Sequence, residues 1–273
     1  MPARNAAKTV GLAARSTLAA MPKDAELVIF DDGSTDDTAD IVQQISDPRL
    51  RLFRSGISVG SGTARSSLLR QSDSRYVASI DADDVSLPWR FALQMRQIAS
   101  GVSDLSFSSV IRFGQRRLPR PTDPSPQTPP ETALILLATN PLFHSTMIAS
   151  RSALEDVGGY GSAAVAQDYE LWLRAASRGK RIVKTSLPVA AYRASNTQIS
   201  ASADYLERVR SSEPVNSSYR SLWELVFECP LPESPLAEEL ILSRASAVLR
   251  PRLQRRLERH IREYGIFPYP RNP

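Results

Sequence analysis

The chain has 273 residues, of which 42% are hydrophobic and 23% charged, a balance typical of a folded globular protein rather than a disordered one. The single cysteine, Cys229, excludes an internal disulfide framework, and with only two histidines any metal has to be bound mainly by oxygen. Thirty-four basic residues against 29 acidic ones give a net charge of +5. No basic stripe interleaved with aromatic residues indicates nucleic-acid binding, and no apolar run approaches the ~18 residues of a membrane span.

Apolar strands end in acidic runs at two places in the first hundred residues. Segments 26–30 and 76–80 are predicted to be buried strands, and they are followed by Asp31–Asp32 and by Asp81–Asp84. Further strands are predicted at 50–53, 145–149 and 181–184, and helices at 36–45, 63–71, 87–99, 131–138 and 168–177. This alternation indicates an α/β fold with parallel strand pairs, whose ligands bind beyond the carboxyl ends of the strands. Both acidic runs are therefore predicted to face a ligand.

The three carboxylates of Asp81–Asp84 are more than a helix cap requires. Alternate residues at a strand tip bind a hard cation through oxygen, and buried carboxylates need a cation or hydrogen-bond donors. A capping role for Asp84 accounts for one acid and leaves the others unexplained.

A proline-rich segment divides the chain. Residues 115–130 contain six prolines, which predicts an extended or irregular conformation. From about residue 203 the chain is predicted to be helical, and its last helix carries Leu253, Leu257 and Ile261 on one face and mainly arginine on the other. Two interpretations of this basic helix are open: a solvated helix packed on the domain, or a peripheral contact with a membrane surface.

Four motifs in this order resemble the signature of the inverting family 2 glycosyltransferases of the GT-A fold. The motifs are Asp31–Thr38, Gly60–Arg65, Asp81–Asp84 and Gln167–Arg174, and the resemblance also takes in 143–160 and Tyr192–Arg193. It implies an α/β fold with a mixed, mostly parallel sheet flanked by helices and a helical C-terminal tail. The implied domain organisation is a glycosyltransferase domain at 1–200, with a donor-binding half (1–113), a proline-rich loop (114–130) and an acceptor half (131–200), and a helical extension at 201–273.

The resemblance also implies roles for particular carboxylates. Asp31, with Asp32 beside it, is expected to contact the donor base, and Arg65 is expected to contact the base or the diphosphate. Asp81 is expected to hold the ribose. Asp83 is expected to bind Mn²⁺ or Mg²⁺, which neutralises charge on the leaving diphosphate.

Three further residues receive roles from the same resemblance. His144 is expected near the diphosphate, with a purely structural histidine as an equal alternative. Arg4 stands where relatives often have an aromatic residue that stacks on the base, and its planar guanidinium can also stack. Asp168 matches the catalytic base, which makes the acceptor hydroxyl more nucleophilic in a single inverting displacement. The acid that usually precedes the base is Gln167 here, and without the resemblance Asp168 is predicted to be a helix N-cap.

The start of the sequence suggests a missing element. Pro2–Asn5 and the helix after it resemble segments that follow an apolar first strand in the family, and no such strand precedes them here. We therefore hypothesise that Met1 is an internal methionine of a longer protein. The missing strand would be central in the sheet, and its loss would leave unpaired backbone groups on the neighbouring strands.

The implied substrates are a nucleotide-diphosphate sugar donor and a saccharide or lipid-linked acceptor, in the synthesis of a cell-envelope polysaccharide or glycolipid. The implied location is the cytoplasm, where the protein could also be peripheral at the inner face of the membrane.

Two alternatives to this function stay open. Asp81–Val85 also fits the nucleophile motif of haloacid-dehalogenase-type phosphatases, although Lys180 and Lys184 have no convincing acidic partner. The other alternative is a catalytically inactive nucleotide-sugar-binding protein.

Overall fold

The computed structural model describes residues 1–114, 117–195, 202 and 204–267, which form an α/β fold with two sheets. The strands are β1 (Pro2–Ala3), β2 (Leu27–Asp32), β3 (Leu50–Ser55), β4 (Tyr76–Ala78), β5 (Val85–Ser86), β6 (Leu105–Gly114), β7 (Arg117–Pro121), β8 (Ile148–Ser150) and β9 (Ile182–Arg193). The helices are α1 (Val10–Ala20), α2 (Thr38–Gln43), α3 (Ser61–Arg70), α4 (Arg90–Ala99), α5 (Pro129–Leu136), α6 (Arg151–Asp156), α7 (Gln167–Ser177), α8 (Tyr205–Arg210), α9 (Glu213–Phe227), α10 (Leu236–Val248) and α11 (Pro251–Tyr264).

The first sheet is parallel and the second is mixed. The first has the order β1-β2-β3, and the second has the order β4-β8-β6-β9-β5 with β7 added to β6. In the second sheet β6 and β9 run parallel, whereas the other pairs are antiparallel. The predicted α/β architecture with a mixed sheet is confirmed.

The second sheet contains a central strand that the sequence did not predict. β6 is buried over Leu105–Val110, including three serines whose hydroxyls have protein partners. Ser106 donates to Gln97, and Ser109 donates to the Asp123 carbonyl. Because these hydroxyls are satisfied locally, a serine-rich segment lies in the core at little energetic cost.

The C-terminal helices share one hydrophobic core with the second half of the domain. Trp223 of α9, Ile241 of α10 and Leu257 of α11 belong to the same buried cluster as Trp172 of α7. The apolar face of α11 is therefore packed on the domain, as the first of the two interpretations requires, and its arginines point outward. Across the described residues no helix is long and apolar enough to cross a membrane. A domain boundary at residue 200 stays a prediction.

Residues that we expected in a loop begin the first sheet instead. Pro2 and Ala3 pair in parallel with Phe30 and Asp31 of β2, so β1 is a two-residue strand. The Met1 ammonium donates to the Val28 carbonyl at 2.8 Å. Burial lowers the pKa of this ammonium to about 5.

A cavity of about 490 Å³ lies next to the Met1 ammonium, between the two sheets. Its lining includes Met1, Leu27 of β2 and Val77 of β4. In the part of the chain that the structure describes, β2 and β4 do not pair with each other. What precedes Met1 stays a hypothesis.

Candidate active site

The loop after β4 and helix α3 bring an aspartate and an arginine into direct contact. Arg65 Nη2 donates to Asp81 Oδ1 at 2.8 Å, and His144 Nδ1 lies 3.8 Å from the same oxygen. Burial alone would raise the pKa of Asp81, but the charge of Arg65 and the hydrogen bond with His144 hold that pKa well below its usual range. The structure therefore brings together three of the predicted site residues, with Asp81 ionised.

His144 is held by both of its ring nitrogens. Nδ1 lies 2.9 Å from the Ser79 hydroxyl and Nε2 lies 2.7 Å from the Tyr160 hydroxyl. Its ring stacks on Trp172 at a centroid distance of 5.8 Å. Burial and the nearby Arg65 lower the pKa of His144, so the imidazole is neutral near pH 7.

In this structure His144 lies beside Asp81, and both of its ring nitrogens already have protein partners. To contact a diphosphate, one of these nitrogens would have to exchange its hydroxyl partner for the ligand. Tyr160 was part of the motif region in the sequence, yet its hydroxyl was not predicted to take part in the site. No local sequence signal reveals it, because the partner histidine is sixteen residues away.

The two other acids of the cluster lie in surroundings that disfavour a negative charge. Asp84 is 1% exposed, and burial together with Asp81 raises its pKa to about 8. One of its oxygens accepts from the Arg193 backbone N–H at 2.8 Å, whereas Oδ2 meets no hydrogen-bond partner within the described ranges. Burial and Asp81 also raise the pKa of Asp83. Arg193, which the sequence did not single out as a site residue, also donates from Nε to the Asp83 carbonyl at 3.0 Å.

This acidic cluster suits a cation that a substrate helps to bind. Among the described residues no three His, Cys, Asp or Glu side chains converge on one point. Mg²⁺ is commonly held by one or two carboxylates together with substrate phosphates and water, so a complete protein cage is not required. The partly buried Asp83 and the orphaned oxygen of Asp84 fit such a shared site.

The first acidic pair shapes the neighbouring loops. The fully buried Asp31 accepts from Arg54 Nε at 3.1 Å and from the Ser34 backbone N–H at 3.2 Å. Asp32 accepts from the backbone N–H groups of Val59 and Gly60 at 2.6 and 3.1 Å. Within the described residues neither carboxylate is hydrogen-bonded to Arg65 or Asp81, and both are held instead by the loops beside them.

A glycine allows the two loops to touch. Gly33 has φ +66°, and a Cβ there would lie 2.7 Å from backbone atoms of Ile57 and Ser58. On the other side, Asn5 accepts from the Thr35 backbone N–H at 2.9 Å. Arg4 is exposed beside this junction, which leaves its guanidinium accessible to a ligand.

Asp168 lies in the first turn of α7. The helix N-cap is Ala166, with φ 50°, so the alternative prediction of Asp168 as the N-cap is wrong. Asn140 Nδ2 donates to Asp168 Oδ2 at 3.4 Å. The negative charge of Asp168 contributes to raising the pKa of Tyr160 and opposes the lowering of the pKa of His144, which places this carboxylate close to the Asp81 cluster.

The residue before the base connects two elements of the site. Ser61 donates to Gln167 Oε1 at 3.1 Å, and Gln167 Nε2 donates to the Ala164 carbonyl at 3.3 Å. This amide therefore ties the start of α3, which carries Arg65, to the start of α7. It does so without adding a negative charge beside Asp168.

Comparison with known proteins gives a consistent family. A family model described as Glycosyl transferase family 2 matches residues 1–158. A curated relative from Escherichia coli, the UDP-Glc:alpha-D-GlcNAc-diphosphoundecaprenol beta-1,3-glucosyltransferase WfaP, is 27% identical over 217 residues, which are 79% of this chain and 83% of the relative.

Solved structures share the fold. TarS of S. aureus (residues 1–349, with UDP-GlcNAc) aligns with a TM-score of 0.64 at 20% identity over 95% of this chain and 85% of that one. The mannosyltransferase PcManGT from Pyrobaculum calidifontis, with GDP-Man and Mn²⁺, aligns with a TM-score of 0.58 at 19% identity over 94% of this chain and 77% of that one. These likenesses confirm the predicted GT-A fold. Because the family model spans more than half of the sequence, the chain belongs to glycosyl transferase family 2 and is a glycosyltransferase.

Proposed function

We propose that this glycosyltransferase is metal-dependent and inverting, and that it moves a sugar from a nucleotide-diphosphate sugar to an acceptor hydroxyl in cell-envelope polysaccharide or glycolipid synthesis. The observation that carries the proposal is the Arg65–Asp81 pair, followed along the chain by the partly buried Asp83 and the buried Asp84, together with Asp168, whose negative charge acts on Arg65. Family membership leaves the phosphatase alternative without support.

The donor would be held by the first half of the chain. Asp81 is ionised and is the residue to accept hydrogen bonds from the donor ribose. Arg65 Nε is buried and meets no hydrogen-bond partner in the described part of the chain, so the guanidinium keeps a donor for the base or the diphosphate. Arg4, at the exposed edge, is the candidate to stack on the base.

Asp83 is the residue to bind Mn²⁺ or Mg²⁺ jointly with the donor diphosphate. When bound, the cation would stabilise the negative charge that develops on the leaving diphosphate. Its binding would also lower the cost of keeping Asp83 ionised beside Asp81, since these two like charges now raise the pKa of Asp83.

Asp168 is the candidate general base. A single displacement with inversion needs a base beside the acceptor hydroxyl, on the side opposite the leaving group. Asn140 fixes one oxygen of Asp168, which leaves the other free to accept the acceptor proton. Gln167 places a neutral amide, not a second negative charge, beside this carboxyl.

The relatives support these assignments by what they bind. TarS was crystallised with UDP-GlcNAc and PcManGT with GDP-Man and Mn²⁺, and the E. coli relative WfaP is named for a lipid-linked diphosphate acceptor. A membrane-bound acceptor would bring the protein to the inner face of the membrane, where the exposed arginines of α11 provide a cationic surface.

Thermal unfolding against UDP, GDP, CDP, ADP and dTDP, with and without Mn²⁺, tests the donor site. A ligand at ~100 times its Kd adds about 2.7 kcal/mol to the free energy of unfolding. We expect one nucleotide to stabilise the protein only with Mn²⁺. Asp83→Ala should abolish this response, whereas Asp73→Ala, at an exposed loop position, should keep it. A folded protein that responds to no nucleotide contradicts the proposal.

Turnover of the matching nucleotide sugar tests the base and separates an enzyme from an inactive binding protein. Asp168→Asn should lower kcat by about 10²–10⁴-fold while nucleotide binding is retained, because a general base contributes that range. Gln167→Glu, the neighbouring substitution, leaves the base in place and should keep most of the activity. Equal losses in both variants would argue against Asp168 as the base.

A further inference from the structure

A second cavity, of about 220 Å³, lies on the acceptor side of the molecule. It is enclosed by β6, the segment after β7, the loop after α5, the start of β9 and α11. Every lining residue falls within 112–260, so the predicted donor-binding half (1–113) contributes only Arg112. The cavity is next to the candidate base, because its lining includes Asn140, which donates to Asp168.

The lining of this cavity is cationic. Arg112, Lys184, Arg256 and His260 line it, and Asp123 is its single acid. Asp123 already pairs with Arg256. With Asp123 neutralised in this way, positive charge from Arg112 and Lys184 stays uncompensated inside the cavity.

Lys184 is an unusual residue to find there. It is only 4% exposed, and its ammonium donates to the carbonyls of Asp123 and Ser125 at 2.8 and 3.2 Å. An ammonium has three N–H donors, so these two bonds leave one for a ligand. Burial lowers the pKa of Lys184 to about 8, and the group is still mainly charged at pH 7. The carboxylate that acts on this ammonium, that of Asp123, also pairs with Arg256, so the positive charge of the pair of cations exceeds it and favours an anion in the adjacent space.

Arg112 adds a second free cation. It is exposed on β6 at the cavity, and no carboxylate of the described residues lies within ion-pair distance of it. Arginine binds both carboxylate and phosphate through two parallel N–H groups, and where several cations converge the more highly charged phosphate is favoured.

We propose that this cavity binds a phosphate group of the acceptor and thereby positions the acceptor hydroxyl beside Asp168. This inference rests on the proposed function, and it names the acceptor class as phosphate-bearing. The phosphate can belong to a lipid-linked diphosphate or to a phosphorylated saccharide. The donor diphosphate has its own partners around Arg65 and Asp81, on elements that do not line this cavity.

Calorimetric titration at about physiological ionic strength, where non-specific charge attraction is screened over ~8 Å, tests the site. The donor site is first filled with Mn²⁺ and the nucleotide found by thermal unfolding. The probes are geranyl diphosphate, inorganic pyrophosphate and geraniol. We expect geranyl diphosphate to bind and geraniol not to bind. Pyrophosphate binding as tightly as geranyl diphosphate indicates a phosphate source independent of lipid, and weaker binding indicates a lipid-linked one.

Four single substitutions locate the binding. Arg112→Gln and Arg256→Gln should each weaken geranyl diphosphate binding about tenfold, the loss expected for one charge-assisted hydrogen bond. Arg120→Gln, at the cross-strand partner of Arg112, and Arg259→Gln, on the same helix as Arg256, alter arginines outside the cavity and should leave binding unchanged.

Two outcomes overturn the inference. One is that neither diphosphate binds to a protein that still binds its nucleotide, which leaves the proposed function intact. The other is that the two control substitutions weaken binding as much as Arg112→Gln and Arg256→Gln. The binding would then depend on the overall positive charge of the surface and not on this cavity. Absence of any nucleotide response would instead count against the proposed function.

Discussion

Replacing Arg174 by methionine should strongly destabilise the protein, because this arginine neutralises a buried acid on α7, the helix that carries the candidate base. Glu170 is 3% exposed and accepts from Arg174 Nε and Nη2 at 2.7 and 2.8 Å. Ser218 of α9 donates to the same carboxylate at 2.9 Å. Arg174 also donates to the carbonyls of Val157 and Gly159. One guanidinium therefore connects α7, the turn after α6 and, through Glu170, α9.

The expected cost follows from what the substitution leaves behind. Arg174→Met keeps the aliphatic bulk but leaves the Glu170 carboxylate buried with only one hydroxyl donor, and removing one partner of a buried ion pair costs ~3–5 kcal/mol. In Glu170→Met/Arg174→Met no buried charge is left, and the remaining penalty is that of the freed backbone carbonyls, ~1–3 kcal/mol. The double variant should therefore be more stable than the single one.

Urea unfolding followed by circular dichroism measures both free energies. The single loss is a large part of the ~5–15 kcal/mol by which domains are usually stable, so Arg174→Met should show a clearly lower midpoint with an unchanged slope. A loss below about 1 kcal/mol, or a double variant less stable than the single one, would refute the argument that Glu170 is a buried charge dependent on Arg174.

Three other perturbations have directions that the structure determines. Tyr160→Phe leaves His144 Nε2 buried without its partner and should cost ~1–3 kcal/mol of unfolding free energy, measured in urea. Burial would raise the pKa of Glu131, but hydrogen bonds from Arg250 and Thr128 outweigh it and hold that pKa below its usual range. Ionised Glu131 therefore stabilises the fold fully above pH ~4.3, the pKa of a glutamate in the unfolded protein, and this stabilisation is lost as the pH falls. Between about pH 5 and 3 the wild type should lose more free energy of unfolding than Glu131→Gln. A short peptide of alternating β-branched apolar residues, added in excess, should raise the melting temperature by filling the cavity between β2 and β4, while a glycine-serine peptide of equal length should not.

The donor-binding half was largely predictable from its sequence. The predicted strands at 26–30, 50–53 and 76–80 correspond to β2, β3 and β4, because each is an apolar run bounded by turn residues. The acidic runs lie at the ends of these strands, as predicted. The direct contact between Arg65 and Asp81 was not predicted, although both residues were expected to contribute to the donor site.

The acceptor half was less predictable because its strands depend on distant partners. β6 contains the buried serines Ser106, Ser108 and Ser109, and the partner of the Ser108 hydroxyl, Thr185, is 77 residues away along the chain. β9 extends to Arg193, beyond the predicted end at residue 184, since its pairing with β6 resumes after a register shift at Ser108–Val110. A local pattern contains neither the partners nor the shift.

The geometry of the candidate base depends on helices outside the family motifs. The Tyr169 hydroxyl donates to the Leu136 carbonyl at 2.6 Å, and the Tyr219 hydroxyl of α9 donates to the Leu137 carbonyl at 2.7 Å. These bonds fix the last residue of α5 and the residue after it, four and three residues before Asn140, which in turn contacts Asp168. A base has to be held within about 0.5 Å of its productive position, so the proposed role of Asp168 predicts that the C-terminal helices contribute to catalysis by supporting it. Cutting the chain at the predicted boundary of residue 200 would then remove part of what positions the base, even though every motif residue would be retained.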